Sequence, residues 1–446
     1  MCGNNISDIR KQPRFNGIFE NGSGFERRIY LNTHMNADDL LLAQQAIQNV
    51  DDISYITKLE ERLSTYVDGA YVIATNSGIS AMHMAIKLAA KKAYGTDDLS
   101  GKRVFCCDLG PVEQAMPILY ENGIPTFIDI TDIDYNMDPE SLETAFGIYP
   151  DTKIVIMNHL YGFPGQILAV KKICEEHGAI LIENASEAFG AKIDGKPAGT
   201  IGEIAVFDFG DDKIVAGEKG GALVTRDEND SVQVRKWVTL SRNNLPWNHT
   251  ETIGYDYQMS EISAAIILGQ LNYLGEILDK KKQIYEFYQD NLNDELLYLI
   301  GSEDGAEPNY WHPTVLIDSP IEAKEKRTDE GYYYEDIHGT TSPMEVVDSL
   351  AAFEVVAAPV YMPLSLQPAF ATSELVGANG TIDIPKAYDE DGRMFRDECS
   401  GDAFKRCVCL PANPSMTKEE QLKVIEIVHA CFNKQNIDLG AFDAFE

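Results

Sequence analysis

The sequence predicts an α/β protein in which a large, mostly parallel sheet domain precedes a smaller α+β unit, and three observations predict it. From Thr57 to about Glu276 helical patterns alternate with short apolar runs, the signature of a parallel sheet covered by helices on both faces. Beyond Lys280 that alternation stops and the texture changes. A chain of 446 residues is also longer than one hydrophobic core usually serves, so a division is expected. The boundaries read as an N-terminal segment 1–36, a large domain 37–280 and a C-terminal domain 281–446.

Taken in order, Ser80–Ala93 is a helix because Ile79, Met82, Ile86 and Ala89 recur on one face. The strand candidates are Val104–Cys107, Thr126–Ile130, Ile154–Met157, Ile180–Ile182, Ile204–Phe209 and Ala222–Thr225. Met259–Leu274 is apolar enough for burial, in the core or at a subunit contact. Lys280–Asn293 reads as a helix leading away from the large domain, and Trp311–Ile317 as a strand of the smaller unit. Asp318–Asp348 is rich in charge, carries Tyr332–Tyr334 and has weak periodicity, so it reads as a loop or insertion. Thr417 with Glu420 forms a capping box, and Leu422, Ile425, Val428 and Phe432 supply the buried stripe of a final helix.

A formal charge of −34, from 71 acidic residues against 37 Lys and Arg, opposes contact with nucleic acid or an anionic membrane and reads as a solvated acidic surface. No apolar run approaches the roughly 20 residues that span a bilayer. Met1–Arg14 is polar and lacks an apolar signal core, so a cytoplasmic location is expected. The eight cysteines lack metal-ligand spacing. Cys106-Cys107 and Cys407/Cys409 fall in apolar strands, which points to reduced core thiols and to no metal site.

Lys213 stands in AVFDFGDDKIVAGEKGGALVT (Ala205–Thr225), a strand, an acidic turn and a glycine pair leading into a second strand. Seven further blocks accompany it. They are NSGISAMHMAIKLA (Asn76–Ala89), VFCCDLGPVEQAMPILYENGIPTFIDI (Val104–Ile130), NHLYGFPG (Asn158–Gly165), ILIENASEAFGA (Ile180–Ala191), IGYDYQMSEI (Ile253–Ile262), PLSLQPAF (Pro363–Phe370) and CLPANPSMTKEEQ (Cys409–Gln421). In order and spacing they resemble the nucleotide-sugar aminotransferases, the DegT-like branch of fold-type I pyridoxal 5'-phosphate (PLP) enzymes, from about Ile29 to Phe432. The resemblance implies an aspartate-aminotransferase-like fold with a seven-stranded, mostly parallel sheet. It also implies a homodimer with active sites at the interface, PLP held as an imine by Lys213, and transfer of an amine from glutamate or glutamine to a nucleotide-linked keto sugar.

Each part of that chemistry is met by a particular residue. An amine is needed to form the imine and shuttle a proton, and Lys213 supplies it. A lysine among Asp211, Asp212 and Glu218 can equally be a solvated ion pair. The phosphate needs a helix N-terminus and hydroxyls, which Ser77, Gly78, Ile79 and Ser80 should provide, although Ile79 replaces the family's usual threonine. Asp208 replaces a serine, and Asp256 replaces the asparagine that reaches in from the partner subunit. Two carboxylates beside a phosphate dianion would each repel it by several kcal/mol at an effective dielectric of about 20.

Asn184 stands where an aspartate normally keeps the pyridine nitrogen protonated. Gly110-Pro111 replaces a threonine-phenylalanine pair whose ring stacks on the cofactor, Met362 and Ser365 replace a lysine and a histidine, and Gln258 stands for a common arginine. Between Asn49 and Lys58 the chain is shorter than its relatives and loses a substrate-bordering loop. His159 and Glu187 are retained, either beside the cofactor and substrate or as buried, hydrogen-bonded core groups.

Three readings of function follow. The first is a family member impaired in PLP binding, structural or regulatory, as a homodimer or as a heterodimer with an active paralogue, or holding a small-molecule ligand without transamination. The second is an active PLP-dependent aminotransferase using Lys213. The third is a repurposed pocket in which Asp208, Asp211, Asp212 and Asp256 bind a cation or an amine.

Overall fold

A computed structural model describes residues 27–31, 37–48, 54–243, 245–247, 249–292, 297–302, 305–317, 326–328, 331–333, 341–382 and 399–433. The polar stretch Met1–Arg14, Cys2, the shortened loop after Asn49 up to residue 53 and most of the Asp318–Asp348 insertion lie outside them.

Seven strands of the large sheet come from the region before residue 280: β1 (Tyr71–Thr75), β2 (Arg103–Cys107), β3 (Ile124–Ile128), β4 (Ile154–Asn158), β5 (Ile180–Asn184), β6 (Ile204–Asp208) and β7 (Gly221–Thr225). Two more, β8 (Glu374–Gly377) and β9 (Gly380–Ile382), come from the C-terminal part, and the order is β1-β7-β6-β5-β4-β2-β3-β8-β9. Pairing is parallel from β6 through β8 and antiparallel at β1–β7, β7–β6 and β8–β9. The six strand ranges expected from sequence recur within one or two residues at each end, and β1 is an addition.

The strands are buried on both faces because their side chains alternate between two cores. Val104, Cys106, Ile156, Ile182 and Val206 face one, with Met82 and Ile86 of the helix Gly78–Tyr94, and Phe105, Cys107, Val155, Leu181 and Phe207 face the other. That helix begins where Ser77 Oγ accepts the Ser80 amide and ends at Gly95, whose φ of 72° no β-carbon has to accommodate. Among the described residues all cysteines are free thiols.

A four-stranded sheet, Leu297–Leu299, Thr314–Ile317, Cys407–Cys409 and Ala358–Pro359, belongs to the C-terminal part. Its core joins Tyr288, Val315, Leu350 and Val408 to Ile425 and Val428 of the last helix, Lys418–Asn433. The capping box is made, with the Glu420 amide donating to Thr417 Oγ1 and the Thr417 amide to Glu420 Oε2.

Two expectations are corrected in detail and a third is narrowed to one of its alternatives. The strand expected over Trp311–Ile317 begins only at Thr314, because the amides of Trp311 and His312 are taken by Asn309 Oδ1 and the Tyr161 carbonyl and not by a neighbouring strand. The Asp318–Asp348 stretch is not all loop, since it holds a hairpin of Lys326–Thr328 with Gly331–Tyr333 and runs into the helix Pro343–Ala352. Met259–Leu274 is largely core, with Ala264, Ala265, Ile267 and Leu271 of the helix Glu261–Leu271 buried, while Ile262 is 43% exposed.

Candidate active site

The C-terminal ends of the parallel strands converge on one cleft, where open α/β sheets commonly place ligands. Asn184 closes β5, Asp208 closes β6, Lys213 lies on the turn between β6 and β7, and Gly78 opens the helix after β1. These residues, with Ile79 and Glu187, line one cavity of about 400 Å³.

Two contacts hold the Lys213 ammonium. Its Nζ is 3.2 Å from Asp212 Oδ1 and 4.1 Å from the centre of the Trp311 ring. Trp311 is fixed in turn, because its Nε1 donates to the Asp212 carbonyl at 2.6 Å and its own carbonyl accepts Lys281 Nζ at 2.9 Å. Burial works against the charge of Lys213, but Glu187, Asp212 and Asp208 outweigh it and hold the ammonium above its ordinary pKa. The solvated ion-pair reading therefore fails, since this lysine is buried.

Glu187 is buried and accepts the Tyr361 hydroxyl at 2.9 Å and the Tyr161 amide at 2.8 Å. Burial, against the opposing pull of Lys213, pushes its carboxyl up to about 7. Asp208 Oδ1 accepts the amides of Gly78 and Gly210, each at 3.2 Å. Burial, seconded by Asp212, raises its pKa above the ordinary value, against the opposing pull of Lys213 and those two amides.

Three candidate residues do not line the cavity. Ser80 turns its hydroxyl to Asn76 Oδ1 at 2.7 Å and to Ser77 Oγ at 2.8 Å, completing the cap of its own helix. His159 is wholly buried with Nε2 3.0 Å from Glu183 Oε1, a core partnership. Asp256 is exposed on its own chain, where only its backbone meets the helix start, by accepting Asn76 Nδ2 at 3.1 Å. The cluster of four aspartates is thereby reduced to Asp208, Asp211 and Asp212 in this cavity. Among the described residues no group of three or more His, Cys, Asp or Glu has the geometry to hold a metal ion.

Of the substrate-side positions, Ser365 is spent on structure, its amide and hydroxyl both donating to Asp108, and Gln258 is exposed. Pro111 does line the cavity. Sequence reasoning missed Trp311, Tyr361, Glu183 and Lys281. Tyr361 was within sight, one residue before Met362, but its role depends on stacking against Tyr161 at 5.5 Å, a pairing 200 residues apart.

The fit of PLP to these residues divides by its parts. Lys213 suits an imine. The phosphate does not fit, because the helix N-terminus is already occupied: Asp208 Oδ1 takes the Gly78 amide, and a β-carbon on Gly78 would lie 2.6 Å from Asp208 Cγ. A protonated pyridine nitrogen does not fit either. Asn184 carries no charge to balance a pyridinium, and with its Oδ1 already accepting the Ser186 amide at 3.3 Å its unspent amide hydrogens favour a neutral acceptor there.

Residues 35–429 match the DegT/DnrJ/EryC1/StrS aminotransferase family, whose members depend on PLP. The chain is 30% identical over 387 residues to EpsN of Bacillus subtilis (strain 168), covering 85% of this chain and 88% of that one. It is 29% identical over 276 residues to a GDP-perosamine synthase of Escherichia coli O157:H7, covering 61% and 72%. The crystal structure of a DegT DnrJ EryC1 StrS aminotransferase from Brucella abortus superposes with a TM-score of 0.73 at 19% identity, over 89% of this chain and 95% of that one, a likeness of fold.

Proposed function

We propose, from the premise that this chain belongs to the DegT/DnrJ/EryC1/StrS aminotransferase family, that it serves nucleotide-sugar-based glycan or natural-product assembly as a member that does not hold PLP through its phosphate. It acts in this reading as a non-catalytic or repurposed homologue. One observation carries it, the Asp208 carboxylate seated on the Gly78 amide. A phosphate brought to that helix end meets a negative charge at contact distance, a repulsion of about 4 kcal/mol per pair of unit charges at 4 Å and an effective dielectric of about 20.

The setting in sugar metabolism draws on the GDP-perosamine synthase relative. The reading includes a homodimer, or a heterodimer with an active paralogue, in the cytoplasm. No helix among the described residues is long and apolar enough to cross a membrane. It also keeps a large domain over 37–280 and a small one over 281–446, with β8 and β9 of the latter inserted into the sheet of the former.

A second reading, an active PLP-dependent aminotransferase, is favoured by a specific observation. Lys213 remains buried in the cavity with Glu187 and Tyr361. An absorption spectrum of the purified protein separates the two. The proposal expects a colourless protein that takes up added PLP weakly; a yellow protein whose visible band borohydride removes establishes the second reading instead.

A further inference from the structure

The cavity around Lys213 presents a polarity opposite to that of a phosphorylated, protonated pyridine. At the helix end stands an acceptor. Asp208 Oδ1 is engaged by Gly78 and Gly210, and its other oxygen makes no hydrogen bond among the described residues, so it is left to receive a donor. At the sheet end stands a donor. Asn184 is buried to all but 5% of its surface, its Oδ1 is fixed by the Ser186 amide, and its Nδ2 has no partner among the described residues. In the same cavity lies a buried primary amine, Lys213 Nζ, held over Trp311 and beside Asp212.

We infer that the cavity takes an uncharged, hydroxyl-bearing carbonyl compound, whose hydroxyl donates to Asp208, whose neutral acceptor atom receives from Asn184 and whose carbonyl carbon forms an imine with Lys213. This rests on the reading proposed above, that the site has given up the phosphate. A carboxylate that accepts a hydroxyl hydrogen opposes a phosphate in the same place, so one residue sets both the preference and the exclusion. An amide donor likewise suits a neutral ring nitrogen or an oxygen and opposes a protonated one.

In the covalent step Nζ bonds to the carbonyl carbon and the carbon–oxygen bond breaks. The oxygen leaves as water with two of the three ammonium protons, and the imine keeps the third and the positive charge. No oxidant, reductant or second reactant is required. Glu187, Asp212 and Asp208, whose potential favours the lysine's charge, favour the charge of the imine as well.

The test uses pyridoxal and PLP, two aldehydes that differ only in the phosphate ester. The full-length protein is incubated with each over a range of concentrations at neutral pH, reduced with borohydride and digested, and the adduct on the Lys213 peptide is measured by mass spectrometry. Pyridoxal should half-saturate Lys213 at a concentration at least about tenfold lower than PLP does, and Asp208→Ser should reverse that order. Asp208→Asn, which keeps the shape of the side chain, should also remove the preference and serves if the serine variant fails to fold. Lys213→Ala should abolish this adduct while surface lysines still react. Modification of Lys213 by PLP at an equal or lower concentration than pyridoxal overturns this inference together with the proposal it rests on. Modification by neither aldehyde, in protein shown to be folded by circular dichroism, overturns this inference and leaves the proposal standing. An unchanged preference in both Asp208 variants overturns the role given to Asp208.

Discussion

Asp208, half-buried, and Glu187, buried, are two carboxyls beside one buried lysine, and their different partners give them different consequences. Asp208 spends its charge on two backbone amides at a helix start, which is where a phosphate would otherwise bind. Replacing it by serine removes a repulsion of roughly 3 kcal/mol or more, so Asp208→Ser should take up PLP about 100-fold more tightly than wild type. Equilibrium dialysis measures this, and equal uptake by both proteins would contradict it. Adding Asn184→Asp and Asp256→Asn should strengthen uptake further, and Lys213→Ala in that background should remove the borohydride-sensitive visible band. Glu187 governs stability with pH. Its folded pKa of about 7 lies above the ordinary 4.5, so as pH rises the unfolded chain loses this proton first. The folded state therefore has its full advantage below about pH 4.5 and loses it as pH climbs through about 7, by up to about 3 kcal/mol. Glu187→Gln should flatten that decline, because glutamine can still accept the Tyr161 amide and donate to the Tyr361 hydroxyl. Melting temperatures of the two proteins across that pH interval should converge toward the acid end and separate toward pH 8, and parallel curves would count against it.

At the scale of elements, the loop that leads into β6 depends on Glu183 of β5, which no motif singled out. Its carboxylate accepts the amides of Gly199, Ile201 and Gly202 at 2.6, 2.8 and 2.8 Å, and pairs with His159. Burial works against its charge, yet His159 and the loop amides hold its pKa below the ordinary range. Glu183→Ala would orphan three amides and an imidazole nitrogen at once, at a cost of about 3–5 kcal/mol. The expected signs are a lowered melting temperature and hydrogen-exchange protection lost first at Gly199–Gly202; unaltered protection there would refute this assignment. The case also marks what a sequence conveys about elements. β4 and β5 were legible because buried parallel strands are continuous apolar runs bounded by turns. β1, YVIAT, was not, since five residues placed directly before a long helix carry no period of their own. β8 pairs with β3 across some 250 residues of chain, and local pattern states a strand's type but never its partner. The candidate site divides the same way. Lys213, Asn184 and Asp208 were found from their blocks, whereas the exposure of Asp256 depends on packing between distant segments, and the turn of Ser80's hydroxyl to Asn76 and Ser77 on side-chain rotamers that a block does not state.

The whole molecule carries a charge of −34, and several of the exposed apolar groups among its described residues fall in one stretch of chain. Trp247 and Ile253, 63% and 74% exposed, lie in the stretch that leads into Asp256 and Gln258, and Ile262, 43% exposed, follows them on the next helix. Apolar side chains grouped so closely in sequence around two exposed polar residues describe a surface that water leaves poorly satisfied, and covering it with a second copy is the simplest remedy. Asp256 is exposed and does not line its own cavity, and the resemblance to sugar aminotransferases implies that this position serves the neighbouring subunit's site. The chain should therefore sediment as a dimer at micromolar concentration. Two acidic surfaces approaching each other repel, and added salt screens that repulsion within about 10 Å at 0.1 M, so the dimer should tighten as ionic strength rises from very low values. Ile253→Asp together with Trp247→Asp should shift the equilibrium toward monomer by adding charge and removing apolar area, while the circular dichroism of the fold is retained. Sedimentation equilibrium across a salt series checks all three statements, and a monomer at every concentration and salt would leave the exposed Ile253 and Trp247 without a partner and the interface reading untenable.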